Sequence, residues 1–237
     1  MLKIICTRRE FLRISTVSVV LYPILPVSLS LAKGNAVDKG ERFPVTIEVL
    51  CGGYQSEISA SWRYRQYCRR ALSDEFPNIA YTFAALAVSE EIHANNYAKI
   101  LNDLGTFVPE EKSGVSISNT KENLKDAAHR EMEKITTTYP RFLQRLSVES
   151  YDRAVVSCMY ALKSHRQHEK EIRLIAKYAG VFFGAVSHEI EKKNLEFHVC
   201  KICGSTLDVR PEMPCEICNY PLSYYERIPR PTRNDND

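Results

Sequence analysis

Long apolar runs are scarce in this 237-residue chain. The best candidate, 14–32, is interrupted by Pro23 and Pro26, which make a weak membrane-spanning helix. A Gly-rich phosphate loop is missing, and so is any internal repeat. Excess charge is missing as well: 32 Lys and Arg stand against 29 Asp and Glu, for a net +3. Residues 1–32 carry that surplus, with Lys3, Arg8, Arg9 and Arg13 against Glu10, so the remainder is close to neutral. Nothing in that balance calls for a nucleic-acid partner. The eight cysteines lack the spacing of a disulfide framework, because four of them form two Cys-x-x-Cys pairs near the end.

Gly and Pro are also absent from 78–101, which is rich in Ala and reads as one continuous helix. Ile79, Phe83, Leu86, Glu90, His93, Tyr97 and Leu101 recur at steps of three and four and share one face. A carboxylate and an imidazole inside an apolar stripe need neutralising, because an unpaired buried charge is costly. Glu90-x-x-His93 is also the spacing with which a bundle helix offers two inward ligands to one metal ion.

Three more helices follow the same pattern. A run over 54–72 places Glu57, Ala60, Tyr64, Tyr67 and Cys68 on one face, and a short turn at 74–78 makes it an antiparallel neighbour of 78–101. After Leu104-Gly105 a polar connection to Thr120 suits a crossover. The run 121–138 points Leu124, Ala127, Ala128, Glu131, Ile135 and Thr138 inward, and Tyr139-Pro140 breaks or kinks it. The run 148–179 buries Val155, Cys158, Ala161, Leu162, His165, His168 and Ile172. Each polar residue has an ordinary alternative: Glu57 could pair with Arg63 or Arg65, Glu131 is flanked by Arg130 and Lys134, and both histidines lie in a polar segment. Coincidence at the middle of four helices favours the metal reading. If the first and fourth helices run the same way, Cys68 and Cys158 lie at opposite ends of the bundle, whereas Cys51 could lie level with Cys158 and form a disulfide.

Cys200-x-x-Cys203-Gly204 and Cys215-x-x-Cys218-Asn219 form two knuckles, the pattern of a tetrahedral tetrathiolate site. The residue after each second Cys normally takes a positive φ, which Gly204 and Asn219 allow. Iron and zinc both accept four thiolates: iron makes the site a one-electron relay, zinc a structural clip. At the other end, Arg8-Arg9-Glu10-Phe11-Leu12 ahead of the apolar run resembles a twin-arginine leader. Ser30-Leu31-Ala32 and Gly34-Asn35-Ala36 are cleavage candidates, so the expected location is a bacterial periplasm, without stable membrane insertion once the leader is removed and with a membrane anchor as the alternative if it is retained. Residues 33–47 read as a linker and those after Pro229 as a disordered tail.

Taken together, 51–228 resembles the rubrerythrin family: an all-α, ferritin-like four-helix bundle (48–185) followed by a rubredoxin-like four-cysteine domain (195–228). The carrying segments are Glu57-Ile-Ser-Ala-Ser-Trp-Arg-Tyr64, Glu90-Glu-Ile-His93, Glu131, Tyr139-Pro-Arg-Phe142, Tyr160-Ala-Leu162 with His168, and Phe197-His-Val-Cys200. The resemblance implies two irons, or other divalent metals, held by Glu57, Glu90, His93, Glu131 and His168, which would carry the reaction. It also implies one iron or zinc on Cys200, Cys203, Cys215 and Cys218. Two positions depart from the family pattern. Its third helix has Glu-x-x-Glu where this chain has Lys134, and its fourth has Glu-x-x-His where this chain has His165, itself a nitrogen ligand. Lys134 is expected to turn away or lose its proton, since an ammonium beside two cations is unfavourable. The implied activity is reduction of hydrogen peroxide, with the four-cysteine iron re-reducing the bundle across a homodimer and an unidentified electron donor upstream. Tyr64 and Tyr97 are candidates for a hydrogen bond to peroxide. The rival readings are a non-catalytic metal-binding or storage protein with a degenerate site, and a structural protein with a zinc knuckle and an empty bundle.

Overall fold

The computed structural model describes residues 4–5, 42–109, 114–178 and 183–233, without side chains for 4–5 and 174–178. The twin-arginine motif and both cleavage candidates fall outside them. Helices α1 (Pro44–Ser73) and α2 (Pro77–Asp103) form the first antiparallel pair. Each starts with Pro in the first turn, where its missing N–H costs nothing. Glu75, at φ 66°, turns the chain between them. Helix α3 (Thr120–Glu133) is capped by Asn119, whose side chain accepts from the Glu122 N–H at 3.0 Å. It runs through a π-helical turn, 134–138, into α4 (Tyr139–Leu146). Helix α5 (Asp152–Tyr178) completes the bundle, and a short α6 (Phe183–Glu191) packs back on α2.

Three boundaries differ from the sequence reading. The first helix begins ten residues before Tyr54, so 44–47 is helix rather than linker. Gly53 lies inside this helix where the Tyr97 ring crosses it: an added Cβ would sit 3.0 Å from the ring. Helix α5 starts at Asp152 rather than 148, because Ser150 takes φ 52°. The break at Tyr139-Pro140 is a π-turn instead of a kink. Pro140 has no N–H to continue the ladder, and the Tyr139 N–H reaches back to the Lys134 carbonyl.

Two apolar clusters fill the bundle. One contains Leu50, Tyr97, Leu101, Tyr139, Leu146 and Cys158; the other contains Tyr64, Phe83, Leu86, Leu124 and Ile172. On every long helix the charged inward residues fall between them. Cys51 and Cys158 are both buried, and no disulfide joins them. Among the described residues, no helix is long and apolar enough to cross a membrane.

The C-terminal domain is a three-stranded antiparallel sheet with β3 (His198–Cys200) between β4 (Thr206–Leu207) and β5 (Tyr225–Arg227). A separate two-residue pair joins β1 (Ile4–Ile5) in parallel to β2 (Thr106–Phe107). The sheet docks on α2 of its own chain. Tyr81 packs edge-on against Phe197 at 4.9 Å, with Val199 and Ile228 beside them. The Tyr81 hydroxyl donates to the Ile228 carbonyl at 2.6 Å and accepts from the Phe197 N–H at 3.1 Å. The chain after Pro229 is structured as far as Arg233. Arg230 donates to the Asn78 side chain at 2.8 Å, and Arg233 donates to the Leu72 carbonyl. Two basic side chains anchoring to helix ends are what the disordered-tail reading missed.

Tyr81→Phe leaves a buried N–H and a carbonyl short of a partner. It should lower unfolding free energy by about 1–3 kcal/mol in denaturant titration and expose 195–228 to proteolysis first. Unchanged protease resistance would mean this anchor does not hold the sheet to the bundle.

Candidate metal centre

All seven side chains singled out in the four helices lie in the layer between the two clusters: Glu57, Glu90, His93, Glu131, Lys134, His165 and His168, each at most 7 % exposed. The carboxylates and imidazoles group into two overlapping sets whose ligand atoms lie within 4.8 Å of one another. One set is Glu57, Glu90, His93 and His165; the other is Glu90, Glu131, His165 and His168. Sharing Glu90 and His165 is the layout of a two-metal site. His165 serves both sets, with Nδ1 at 2.8 Å from Glu131 and Nε2 at 3.6 Å from Glu57.

Helical spacing brings these groups together. Glu90 and His93 lie one turn apart on α2, as do His165 and His168 on α5. Glu131 and Lys134 stand where α3 passes into the π-turn, a type of irregularity common at functional sites. Lys134 does not turn away. Its Nζ donates to Glu57 at 2.6 Å and lies 3.3 Å from Glu90. Burial alone would lower its pKa, but Glu57, Glu90 and Glu131 raise it, so the ammonium keeps its proton. The expectation that it must leave or deprotonate assumed two cations beside it.

The tyrosines are also committed to the site's carboxylates. Tyr64 donates to Glu131. Tyr139, which the sequence reading gave no part in the site, donates to Glu57 at 2.8 Å and hydrogen-bonds to Tyr97 at 2.8 Å. Tyr64 and Tyr97 therefore hold carboxylate and phenol partners rather than a free edge for peroxide.

Burial pushes Glu57 and Glu131 up, yet both are held well below the carboxylate range, Glu57 by Lys134 and His165, Glu131 by His165 and His168. His165 is depressed by burial and Lys134, but Glu90, Glu131 and Glu57 outweigh them and push it up to about 10. His168 moves up for the same reason, through Glu131 and Glu90. His93 moves down, because burial outweighs its bond to Glu90.

The four cysteines make the second centre. Cys200 and Cys218 sulfurs lie 3.7 Å apart, and Cys203 and Cys215 sulfurs 3.5 Å apart. A tetrahedral ion with metal–sulfur bonds of about 2.3 Å needs edges of roughly 3.8 Å, so the cluster is shaped for one. Gly204 and Asn219 take φ 77° and 59°, as the knuckle pattern requires.

The two centres touch within one chain. The His93 Nε2 lies 3.0 Å from the Cys203 carbonyl. A carbonyl can only accept, so Nε2 carries the proton and Nδ1 is left facing the carboxylates. The neighbouring Gly204 carbonyl accepts from Ser89 at 2.6 Å and Ser164 at 2.9 Å. Gly204 permits this approach twice over: its φ suits glycine, and a Cβ there would collide with His93 and Ser89. Ser89 and Ser164 went unnoticed in the sequence; the available signal was a small polar residue one position before Glu90 and before His165.

A ferritin-like bundle with a carboxylate–imidazole centre, joined to a rubredoxin-like four-cysteine domain, is the class this architecture defines. The rubrerythrin family profile matches residues 48–176, and the chain belongs to that family. It is 28 % identical over 180 residues to Rubrerythrin-2 of Clostridium acetobutylicum, covering 73 % of this chain and 91 % of that protein. It is 26 % identical over 200 residues to the rubrerythrin of Porphyromonas gingivalis, covering 84 % and 97 %. The fold also matches fully reduced nigerythrin with a TM-score of 0.66 at 22 % identity, over 77 % of this chain and 86 % of that one.

A metal held by Glu90, Glu131, His165 and His168 must displace the proton that His165 keeps up to about pH 10. Affinity for a divalent ion, measured by competition with a chelator, should therefore rise with pH from about 6 towards 10. In the metal-free chain the opposite sign holds. The raised His165 contributes stability that is fully present below its ordinary 6.5 and is lost as pH rises through about 10. A pH-independent affinity would remove His165 from the ligand set.

Proposed function

We propose that the protein is a rubrerythrin-like oxidoreductase that reduces hydrogen peroxide to water at the bundle centre and draws electrons from the four-cysteine centre of the same chain. The observation that carries this reading is the His93–Cys203 hydrogen bond, which leaves one imidazole and one peptide between the two sets of ligands. The donor sets suit the group. Buried Glu90 Oε1, His168 Nδ1 and His165 Nε2 have no hydrogen-bond partner, and such atoms are costly unless something binds them. Iron on Glu90, Glu131, His165 and His168, with iron on Cys200, Cys203, Cys215 and Cys218, would supply the electrons.

The remaining work falls to the chain. The two apolar clusters exclude bulk water on either side of the layer. Tyr64 fixes one Glu131 oxygen, and Tyr139 fixes one Glu57 oxygen, so the carboxylates stay oriented. The Tyr97–Tyr139–Glu57 hydrogen-bond chain offers a proton route into the layer, and reduction of peroxide to two waters consumes two protons. The family resemblance implies transfer across a homodimer. The intrachain His93–Cys203 contact supports transfer within one chain, and a homodimer stays a proposal about assembly. Export to the periplasm by a twin-arginine route is likewise proposed, from Arg8-Arg9-Glu10-Phe11-Leu12 alone.

A second reading, metal binding or storage without turnover, is favoured by Lys134, which brings positive charge into the centre. The two separate on mixing anaerobically reduced protein with peroxide. The enzyme reading expects rapid oxidation of the bundle, abolished in Glu90→Ala, followed by oxidation of the four-cysteine centre at a rate independent of protein concentration. Retained metal with no peroxide-dependent oxidation supports storage, and a second phase that slows on dilution places the electron path between chains.

A further inference from the structure

The two ligand sets are not equivalent, and the difference lies in what already occupies their oxygens. In the set Glu57, Glu90, His93 and His165, both Glu57 oxygens have donors. Oε1 accepts from Tyr139 at 2.8 Å and Oε2 from Lys134 at 2.6 Å. The Glu90 oxygen on this side, Oε2, faces Lys134 at 3.3 Å and His93 Nδ1 at 3.1 Å. In the set Glu90, Glu131, His165 and His168, Glu90 Oε1 and His168 Nδ1 are buried without any partner and lie 3.7 Å apart. Glu131 Oε2 is 3.7 Å from the same His168 atom and 2.8 Å from His165 Nδ1. In the first set an ammonium and a phenol occupy both Glu57 oxygens and leave only His165 Nε2 without a partner; in the second, Glu90 Oε1 and His168 Nδ1 face each other unpartnered.

Charge leads to the same division. With the imidazoles neutral, as ligation requires, three buried carboxylates and one buried ammonium leave two negative charges, the complement of one divalent ion. A second divalent ion would leave the layer with two uncompensated positive charges, and it would need the very oxygens to which Lys134 donates.

We propose that the bundle of this chain holds a single metal ion, on Glu90, Glu131, His165 and His168, and that the Lys134 ammonium stands in for the second cation of the two-metal layout. The inference rests on reading the bundle as a metal centre but not on peroxide turnover. The family's two-iron expectation therefore fails at the Glu57 side, because a side chain of the protein already supplies that charge. His93 is released from ligation on this account and serves as the link to Cys203.

The test counts ions. The full-length protein and its Lys134→Glu variant are stripped of metal, loaded anaerobically with ferrous iron, and weighed by native mass spectrometry. X-ray absorption then seeks a metal–metal vector of about 3.5–4 Å, the separation usual for paired ions. The parent should carry one ion in the bundle and one on the cysteines, with no such vector. Lys134→Glu, which restores a carboxylate, should gain one ion and the vector. Two bundle ions in the parent overturn the proposal, as does a folded Lys134→Glu that binds no more than the parent. Should that variant not fold, the parent's count and the vector decide by themselves. Peroxide reactivity does not enter the readout, so loss of the enzyme reading would leave this result standing.

Discussion

The ion cluster of Lys134 with Glu57 and Glu90 is the constraint on which the bundle's centre depends. Carboxylates buried among Tyr64, Tyr97, Tyr139 and Phe83 cannot be left uncompensated, since the desolvation penalty is several kcal/mol per ion. Each is answered locally: Glu57 by Lys134 and Tyr139, Glu131 by Tyr64 and His165, Glu90 by Lys134 on one side only. The open side of Glu90 is where the chain leaves room for chemistry. Structure and site are one arrangement here: what keeps the bundle from rejecting its charges also determines which ligands remain free.

The four-cysteine domain depends on the same layer. Gly204 brings its backbone against Ser89, Ser164 and His93, and these contacts fix the distance between the two centres. The Tyr81–Phe197 anchor and the Arg230–Asn78 bond hold the domain from the other side of the sheet. A relay that must pass electrons gains from such rigidity, because the approach of His93 to Cys203 is set by packing rather than by diffusion.

Much of this was legible in sequence. Periodicity was enough to identify four helices and to put Glu57, Glu90, His93, Glu131, His165 and His168 on inward faces, because a charged residue in an apolar stripe is conspicuous. The knuckle spacing marked both the thiolate cluster and its positive-φ residues. Less legible were features that join segments distant in the chain. Tyr139 looked like a helix end, and only the π-turn reveals that its hydroxyl reaches Glu57. The close crossing of the Tyr97 ring over Gly53 likewise shows only in the fold. Lys134 was judged against two cations rather than against three carboxylates, and the sign of its effect reversed once the latter were counted. The docking of 198–206 on α2 and α5 leaves only two serines and a glycine as its trace in the sequence.

The central claim is that Lys134 serves as an internal cation for Glu57, and a double-mutant cycle on the metal-free protein tests it most directly. Lys134→Met should lower unfolding free energy by about 3–5 kcal/mol, the cost of stranding a buried charge. Adding Glu57→Gln should recover much of that loss, giving a large favourable coupling between the two sites. If Lys134→Met is nearly neutral, or the two changes are simply additive, the ammonium is not what balances this centre.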